Sequence, residues 1–310
     1  TNGFRINGIA EDDRAGASVS HAGDVNGDGY DDILLGAPDA SPGGKPRIGQ
    51  AYIVLGQPSF TSRFELSSLN GTNGFVINGV AAESSAGKVV NAAGDMNKDG
   101  YGDVMLAAGN FLTGKSLETG TLFVIFGSEL MPAKFNLSSI NGVNGFRIEG
   151  IEDGDNAGRA AAPAGDVNGD GRQDLVLGAP FAAAHKGEAY VVFGQASYPT
   201  TVNLKDLNGS NGFRLSGSEA NGEAGTAVGA SDVNGDGLED VIVGASAAGS
   251  GSSRFAGMTY VVFGRTGFEP TISLGALGNG GIRFDGAAAG HQAGQTISTA
   301  GDLNGDGYDE

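Results

Sequence analysis

Short apolar runs recur along this chain in a fixed order, bounded by Gly, Asn, Asp and Pro. We label them A to D. Run A is small and mixed, at residues 17–20, 88–90, 159–162, 226–228 and 295–298. Run B is wholly apolar, at 33–35, 104–106, 175–177 and 241–243, and run C follows at 51–55, 122–126, 189–193 and 259–263. Run D carries Asn-Gly-Phe-x-Ile/Leu or a variant of it, with its apolar part at 4–6, 75–77, 146–148, 213–215 and 282–284. Runs this short and rich in branched residues read as strands. B and C show no polar alternation, so both faces of those strands must be covered. A two-sheet sandwich would alternate. Four strands repeated several times and covered on both faces predict an all-β chain, a β-propeller of four-stranded antiparallel blades. Residues 1–310 divide into repeats at about 3–73, 74–144, 145–211 and 212–280, with a partial fifth at 281–310.

Between C and D a constant linker (64–70, 135–141, 202–208, 272–278) places apolar residues three apart, as in Leu66/Leu69 and Leu137/Ile140. It predicts one helical turn on the outer edge of a blade. The B–C linkers at 39–49, 110–119, 181–187 and 246–257 all differ from one another, so structure alone does not dictate them.

Between A and B lies the chain's chemistry, a nine-residue D-x-N-x-D-G-x-x-D pattern repeated five times with Glu at the last position of the fifth. Side-chain oxygens at positions 1, 3, 5 and 9 and the carbonyl at 7 make an oxygen shell for a hard cation, Ca²⁺. The five sets are Asp24, Asn26, Asp28, Tyr30 and Asp32; Asp95, Asn97, Asp99, Tyr101 and Asp103; Asp166, Asn168, Asp170, Arg172 and Asp174; Asp232, Asn234, Asp236, Leu238 and Asp240; and Asp302, Asn304, Asp306, Tyr308 and Glu310. Gly at position 6 permits the sharp turn. An EF-hand needs Glu at position 12 on a helix. Here position 12 is Leu35, Leu106, Leu177 or Val243, inside a B strand, so the loop joins two strands. A metal-free turn would have no need of three mutually repelling carboxylates.

Composition sharpens this reading. Lys and Arg number 18 against 36 Asp and Glu, a net charge of −18, which argues against nucleic acid as a partner. Five dications would bring that charge to −8 and relieve self-repulsion. The 57 glycines fall at fixed places in the repeats, not in a low-complexity tract. With no cysteine, disulfides and thiolate zinc sites are excluded, and compartment is not legible from cysteine usage. No apolar stretch is long enough to span a membrane. Sequons stand at Asn70, Asn136 and Asn208.

The Phe-Gly pairs at 126–127, 193–194 and 263–264, Gly-Ala-Pro at 36–38 and 178–180, and the acidic loops together resemble FG-GAP repeat proteins. These include the integrin α-subunit propeller and large bacterial secreted proteins. The resemblance covers the whole chain and implies Ca²⁺ in the A–B hairpins, an extracellular or cell-surface setting, and a role in adhesion or as a scaffold. The count departs from a seven-bladed ring, since only four full A-B-C sets are present. The sequence therefore predicts further blades or neighbouring copies at its open edges, and a weaker fifth Ca²⁺ site because Glu310 lacks a strand to hold it.

No nucleophile–base–orienter set is visible, so the expectation is a non-enzyme. His21, His185 and His291 fall at non-equivalent places. The acids of the D–A linkers, Glu11, Asp12, Asp13, Glu152, Asp153, Asp155, Glu219 and Glu223, read as a solvated face or a binding rim. Tyr52, Tyr190 and Tyr260 read as core. In an up-and-down blade the B–C and D–A linkers share the face opposite the metal loops. That face is expected to hold a protein or glycan ligand, if the partners are not neighbouring copies of the chain. Two alternatives stay open. A lectin-like propeller predicts repeated aromatic and polar residues in those linkers. A polysaccharide lyase scaffold predicts one blade with unique basic residues, for which Arg47, Lys115, Lys186 and Arg254 are scattered candidates.

Overall fold

A computed structural model describes residues 3–109, 120–249 and 254–310. The chain forms two compact units, residues 1–148 with 197–202 and residues 149–196 with 203–310.

The first unit opens with β1 (Arg5–Asn7), followed by β2 (Ser18–Gly23), β3 (Asp32–Ala37), β4 (Gln50–Val54), β5 (Arg63–Glu65) and β6 (Gly74–Asn78). It continues with β7 (Val89–Gly94), β8 (Asp103–Ala108), β9 (Thr121–Ile125), β10 (Lys134–Asn136) and β11 (Gly145–Glu149). Strands β2, β3, β4 and β6 pair antiparallel as A, B, C and D of one blade. Register places Leu35 opposite Tyr52 and Gln50 opposite Asn78. Strand β15 (Thr201–Asn203) falls with the first unit up to Val202, while in the second unit β12 (Ala160–Gly165), β13 (Asp174–Ala179), β14 (Glu188–Val192) and β16 (Gly212–Ser216) come first. They are followed by β17 (Ala224–Ser231), β18 (Asp240–Ala245), β19 (Met258–Val262), β20 (Thr271–Ser273) and β21 (Gly281–Asp285). The β12-β13-β14-β16 and β17-β18-β19-β21 sheets repeat the A-to-D order, as do β7, β8, β9 and β11. The all-β architecture of four-stranded blades that the sequence predicts is the one observed.

Three sheets have one strand more than the pattern predicts, the last has four, and β1 pairs with β5 alone in a two-stranded sheet. The C–D linker begins with a three-residue strand that crosses to the preceding repeat. There β10 runs parallel to D strand β6, β20 runs parallel to β16, and β15 neighbours β11. The expected helical turn follows as a 3-10 turn at Leu66–Ser68, Leu137–Ser139, Leu204–Asp206 and Leu274–Ala276, each burying its leucine. We call the added strand a strap. It covers the outer edge of a blade, whose unpaired backbone would otherwise be exposed. A large side chain three residues ahead of the strap reinforces it. Phe60 stacks on Phe4 at 4.1 Å, Tyr198 on Phe146 at 4.0 Å and Phe268 on Phe213 at 4.2 Å. Met131 packs in the same role in the core that holds Phe75.

Strands B and C are buried on both faces, as the absence of alternation requires. Tyr52, Tyr190 and Tyr260 lie fully inside. Run A is small because A strands lie against each other: β2 beside β7 and β12 beside β17. The Gly of Gly-Ala-Pro has the same cause. A Cβ on Gly36 would lie 1.9 Å from the Gly87 carbonyl oxygen, and one on Gly178 1.9 Å from that of Gly225. One expected strand does not form, since residues 295–298 adopt no strand conformation. No B strand follows them among the described residues, and a strand needs a hydrogen-bonded neighbour to persist.

Candidate metal centre

The first six residues of each acidic loop fold on themselves. In the first, Asp24 Oδ1 accepts from the Gly27 and Asp28 amides at 2.7 and 3.0 Å, and Oδ2 accepts from Gly29 at 2.8 Å. Asn26 Oδ1 accepts from Asp28 N at 3.3 Å, while Asp28 Oδ1 accepts from Tyr30 N at 2.9 Å. Asn and Asp favour such turns because their short side chains reach backbone amides two to four residues on. Gly29 sits at φ 87°, in the left-handed region that position 6 demands. The position-6 bond recurs at Asp95, Asp166, Asp232 and Asp302, and the position-4 bond at all of these but Asp95. The structure thus brings positions 1, 3 and 5 of every loop together on one turn.

Position 9 behaves differently. Asp32, Asp103, Asp174 and Asp240 are buried, and each carboxylate spans two backbone amides. One oxygen accepts from loop position 2, namely Val25, Met96, Val167 or Val233, at 2.9 to 3.1 Å. The other accepts from the glycine just past strand C, namely Gly56, Gly127, Gly194 or Gly264, at 2.7 to 3.0 Å. That glycine belongs to the Phe-Gly motif in three of the four repeats. A Cβ on Gly127 would lie 2.4 Å from the Gly102 carbonyl oxygen, which accounts for the residue type. Position 9 is therefore a clamp between the loop and the end of strand C. In the fifth loop the Glu310 carboxylate accepts from Leu303 N and the Asn304 side chain, both within its own loop.

Burial pushes these aspartates up, to about 6 for Asp32, about 8 for Asp103, about 7 for Asp174 and about 6 for Asp240. Desolvation is the main cause; their backbone bonds oppose it, and the carboxylates at positions 1 and 5 add to it. Successive loops also touch within each unit. Gly102 N donates to Asp24 O at 2.7 Å and Glu239 N to Asp166 O at 3.3 Å; Asp309 N donates to Asp232 O at 3.1 Å.

Among the described residues, no three acidic, cysteine or histidine side chains converge closely enough to cage an ion as they stand. Each position-9 carboxylate accepts one backbone N–H at each oxygen, which leaves a second lone pair on each oxygen for an ion. The donor set still suits a hard cation. It offers only oxygen, with three carboxylates per loop, and the charges of Asp95 and Asp99 help to push Asp103 up.

The other sequence candidates are scattered. Arg47 is tied to Glu83 at 2.6 Å, Arg254 lies over the Phe255 ring at 4.7 Å, and His185 lies against Phe181 at 5.3 Å. Lys115 and the linker at 110–119 lie outside the described residues, as does part of the linker at 246–257. Two features escaped sequence reasoning. The straps were legible only as a large residue three positions before a short apolar-centred triplet. The amides at 50, 78 and 136 become neighbours only through sheet register.

Comparison with known proteins agrees with this geometry. The FG-GAP repeat family matches residues 15–54, 157–192 and 224–262, each running from strand A through the acidic loop to strand C. Integrin alpha pat-2 of Caenorhabditis elegans is 29% identical over 295 residues, 89% of this chain and 21% of that protein. Phosphatidylinositol-glycan-specific phospholipase D of Bos taurus is 32% identical over 194 residues, 62% of this chain and 22% of that protein. Integrin alpha-V of Gallus gallus is 28% identical over 249 residues, 76% of this chain and 20% of that protein. The chain spans about a fifth of the length of these relatives. No helix among the described residues is long and apolar enough to cross a membrane.

Proposed function

We propose that this integrin-like FG-GAP repeat protein is a calcium-stabilised adhesion or structural module of an extracellular or cell-surface protein, with no catalysis of its own. The observation that carries the reading is the clamp at position 9. It joins each of the first four acidic loops to the end of strand C, so an ion held by such a loop would brace the whole blade. Asp24, Asn26, Asp28 and Asp32, the Tyr30 carbonyl and their equivalents in the other loops would hold Ca²⁺. The ion would supply charge neutralisation where carboxylates now repel one another. Matches to integrin α chains support the adhesion class. The phospholipase D matches support a scaffold beside a catalytic region elsewhere in such proteins, because they cover so little of them.

Affinity should fall near about 10⁻⁴ to 10⁻³ M, the range of extracellular modules. Melting with millimolar Ca²⁺ and with chelator tests the reading. A melting temperature lowered by chelator supports it, and an unchanged one overturns it. Partners would meet the face opposite the loops, where the B–C and D–A linkers vary.

A further inference from the structure

A cavity of about 900 Å³ opens at the end of the first blade, walled by its B–C linker, its D–A linker and the strap region that follows. Its volume is within the roughly 300–1,000 Å³ of ligand pockets. One wall is a row of side-chain amides from three adjacent strands. The Tyr52 hydroxyl donates to Gln50 Oε1 at 2.9 Å, and Gln50 Nε2 donates to Asn78 Oδ1 at 2.7 Å. Asn78 Nδ2 then donates to Asn136 Oδ1 at 3.1 Å. Gln50 lies on β4, Asn78 on β6 and Asn136 on strap β10, and all three line the cavity. The row is peculiar to this blade. The matching positions carry Thr121, Glu149 and Asn203 in the second blade, Glu188, Ser216 and Ser273 in the third, and Met258 and Asp285 in the fourth.

We propose that this cavity binds a neutral oligosaccharide. The inference rests on the reading that partners meet the face opposite the loops. A fixed row of amides offers donors and acceptors side by side, the demand made by vicinal hydroxyls, each of which donates and accepts. Glu11, Asp12, Asp13 and Asp39 also line the cavity; they add acceptors and outnumber the two lysines there, Lys45 and Lys134, which disfavours an anionic ligand. Leu66, Leu69 and Val76 supply apolar contact for the C–H faces of a sugar ring. A peptide strand would need an open sheet edge, and β10 closes that edge of the blade.

The test is a glycan array probed with the full chain in Ca²⁺ buffer, followed by titration of a retained neutral oligosaccharide. The protein is produced without N-glycosylation, because Asn136 heads a sequon. Asn136→Ala and Asn78→Ala should each weaken binding about ten-fold, for a lost hydrogen bond that leaves its partner unpaired. Asn203→Ala, at the matching strap position of the second blade, should not. Melting temperature and its response to chelator should be unchanged in Asn136→Ala. No retained neutral glycan, retention of acidic glycans only, equal binding by Asn136→Ala, or binding of basic peptides in place of sugars overturns the proposal. If chelator still lowers the melting temperature in that case, the calcium reading stands without it.

Discussion

Residues 3–32 and 281–310 are two copies of one stretch, a D strand, an A run and an acidic loop, held in different surroundings. In the first copy, D strand β1 pairs with strap β5, and Phe60 stacks on Phe4. Its A run forms β2 against β3, and Asp32 reaches across to Gly56. In the second copy β21 pairs with C strand β19 and has no strap among the described residues. Ile282 and Phe284 are consequently 43% and 56% exposed, whereas Phe213 and Leu215 at the same positions of β16 are fully buried. The early loop bonds nevertheless match. Gly305 and Asp306 donate to Asp302 Oδ1 at 2.6 and 3.0 Å, and Gly307 donates to Oδ2 at 2.8 Å. The acidic turn is thus written into its own nine residues. The clamp, the strap and strand A exist only when neighbouring strands supply them.

The comparison is broken most sharply at the D strands. Phe213→Ala should cost about 3–5 kcal/mol, as for a buried aromatic, and Ile282→Ala less than about 1 kcal/mol, because half its surface is already wet. Urea unfolding of the two variants checks this; equal losses would mean that the strap contributes nothing. Next comes the clamp. Asp103→Ala leaves the Met96 and Gly127 amides buried without acceptors, at about 1–3 kcal/mol each. Glu310→Ala should stay within about 0.5 kcal/mol, as at an ordinary surface site.

A smaller effect is the pH response of the chelated protein. The four clamp aspartates have folded pKa values of about 6 to 8, above the ordinary 3.8. They bind more protons folded than unfolded, so stability is highest at low pH, falls as pH rises from about 4 to 8, and then levels. The fifth loop should add nothing of that sign, because backbone amides hold Asp302 below the ordinary range. Melting at pH 5 and pH 8 in chelator reads the difference. Stability that rises across this window would show that the clamp carboxylates are not desolvated.

Strand order and the turns of the acidic loops were legible because each follows from local pattern: unbroken apolar runs at 33–35 and 51–55, and Asp-x-Asn spacing in the loops. The double duty of position 9 was not legible. Asp32 reads as one more oxygen ligand until Gly56, 24 residues on, is seen donating to it. Straps were hidden for a similar reason. Residues 134–136 pair with 76–78 across a whole repeat, and a three-residue strand is too short to show a period. The strand expected at 295–298 fails on the same ground, since its pattern is adequate but its partner is absent from the described residues.

The central claim is that the loops are calcium sites and that the clamp to strand C sets their strength. Calorimetric titration of Ca²⁺ into the chelator-stripped protein measures both. Four sites of similar affinity, at about 10⁻⁴ to 10⁻³ M, and a fifth weaker one are predicted. Asp103→Asn should remove or weaken one of the four, and Glu310→Ala should leave all four intact. No saturable heat in the unaltered protein, or loss of a strong site in Glu310→Ala but not in Asp103→Asn, would contradict the account.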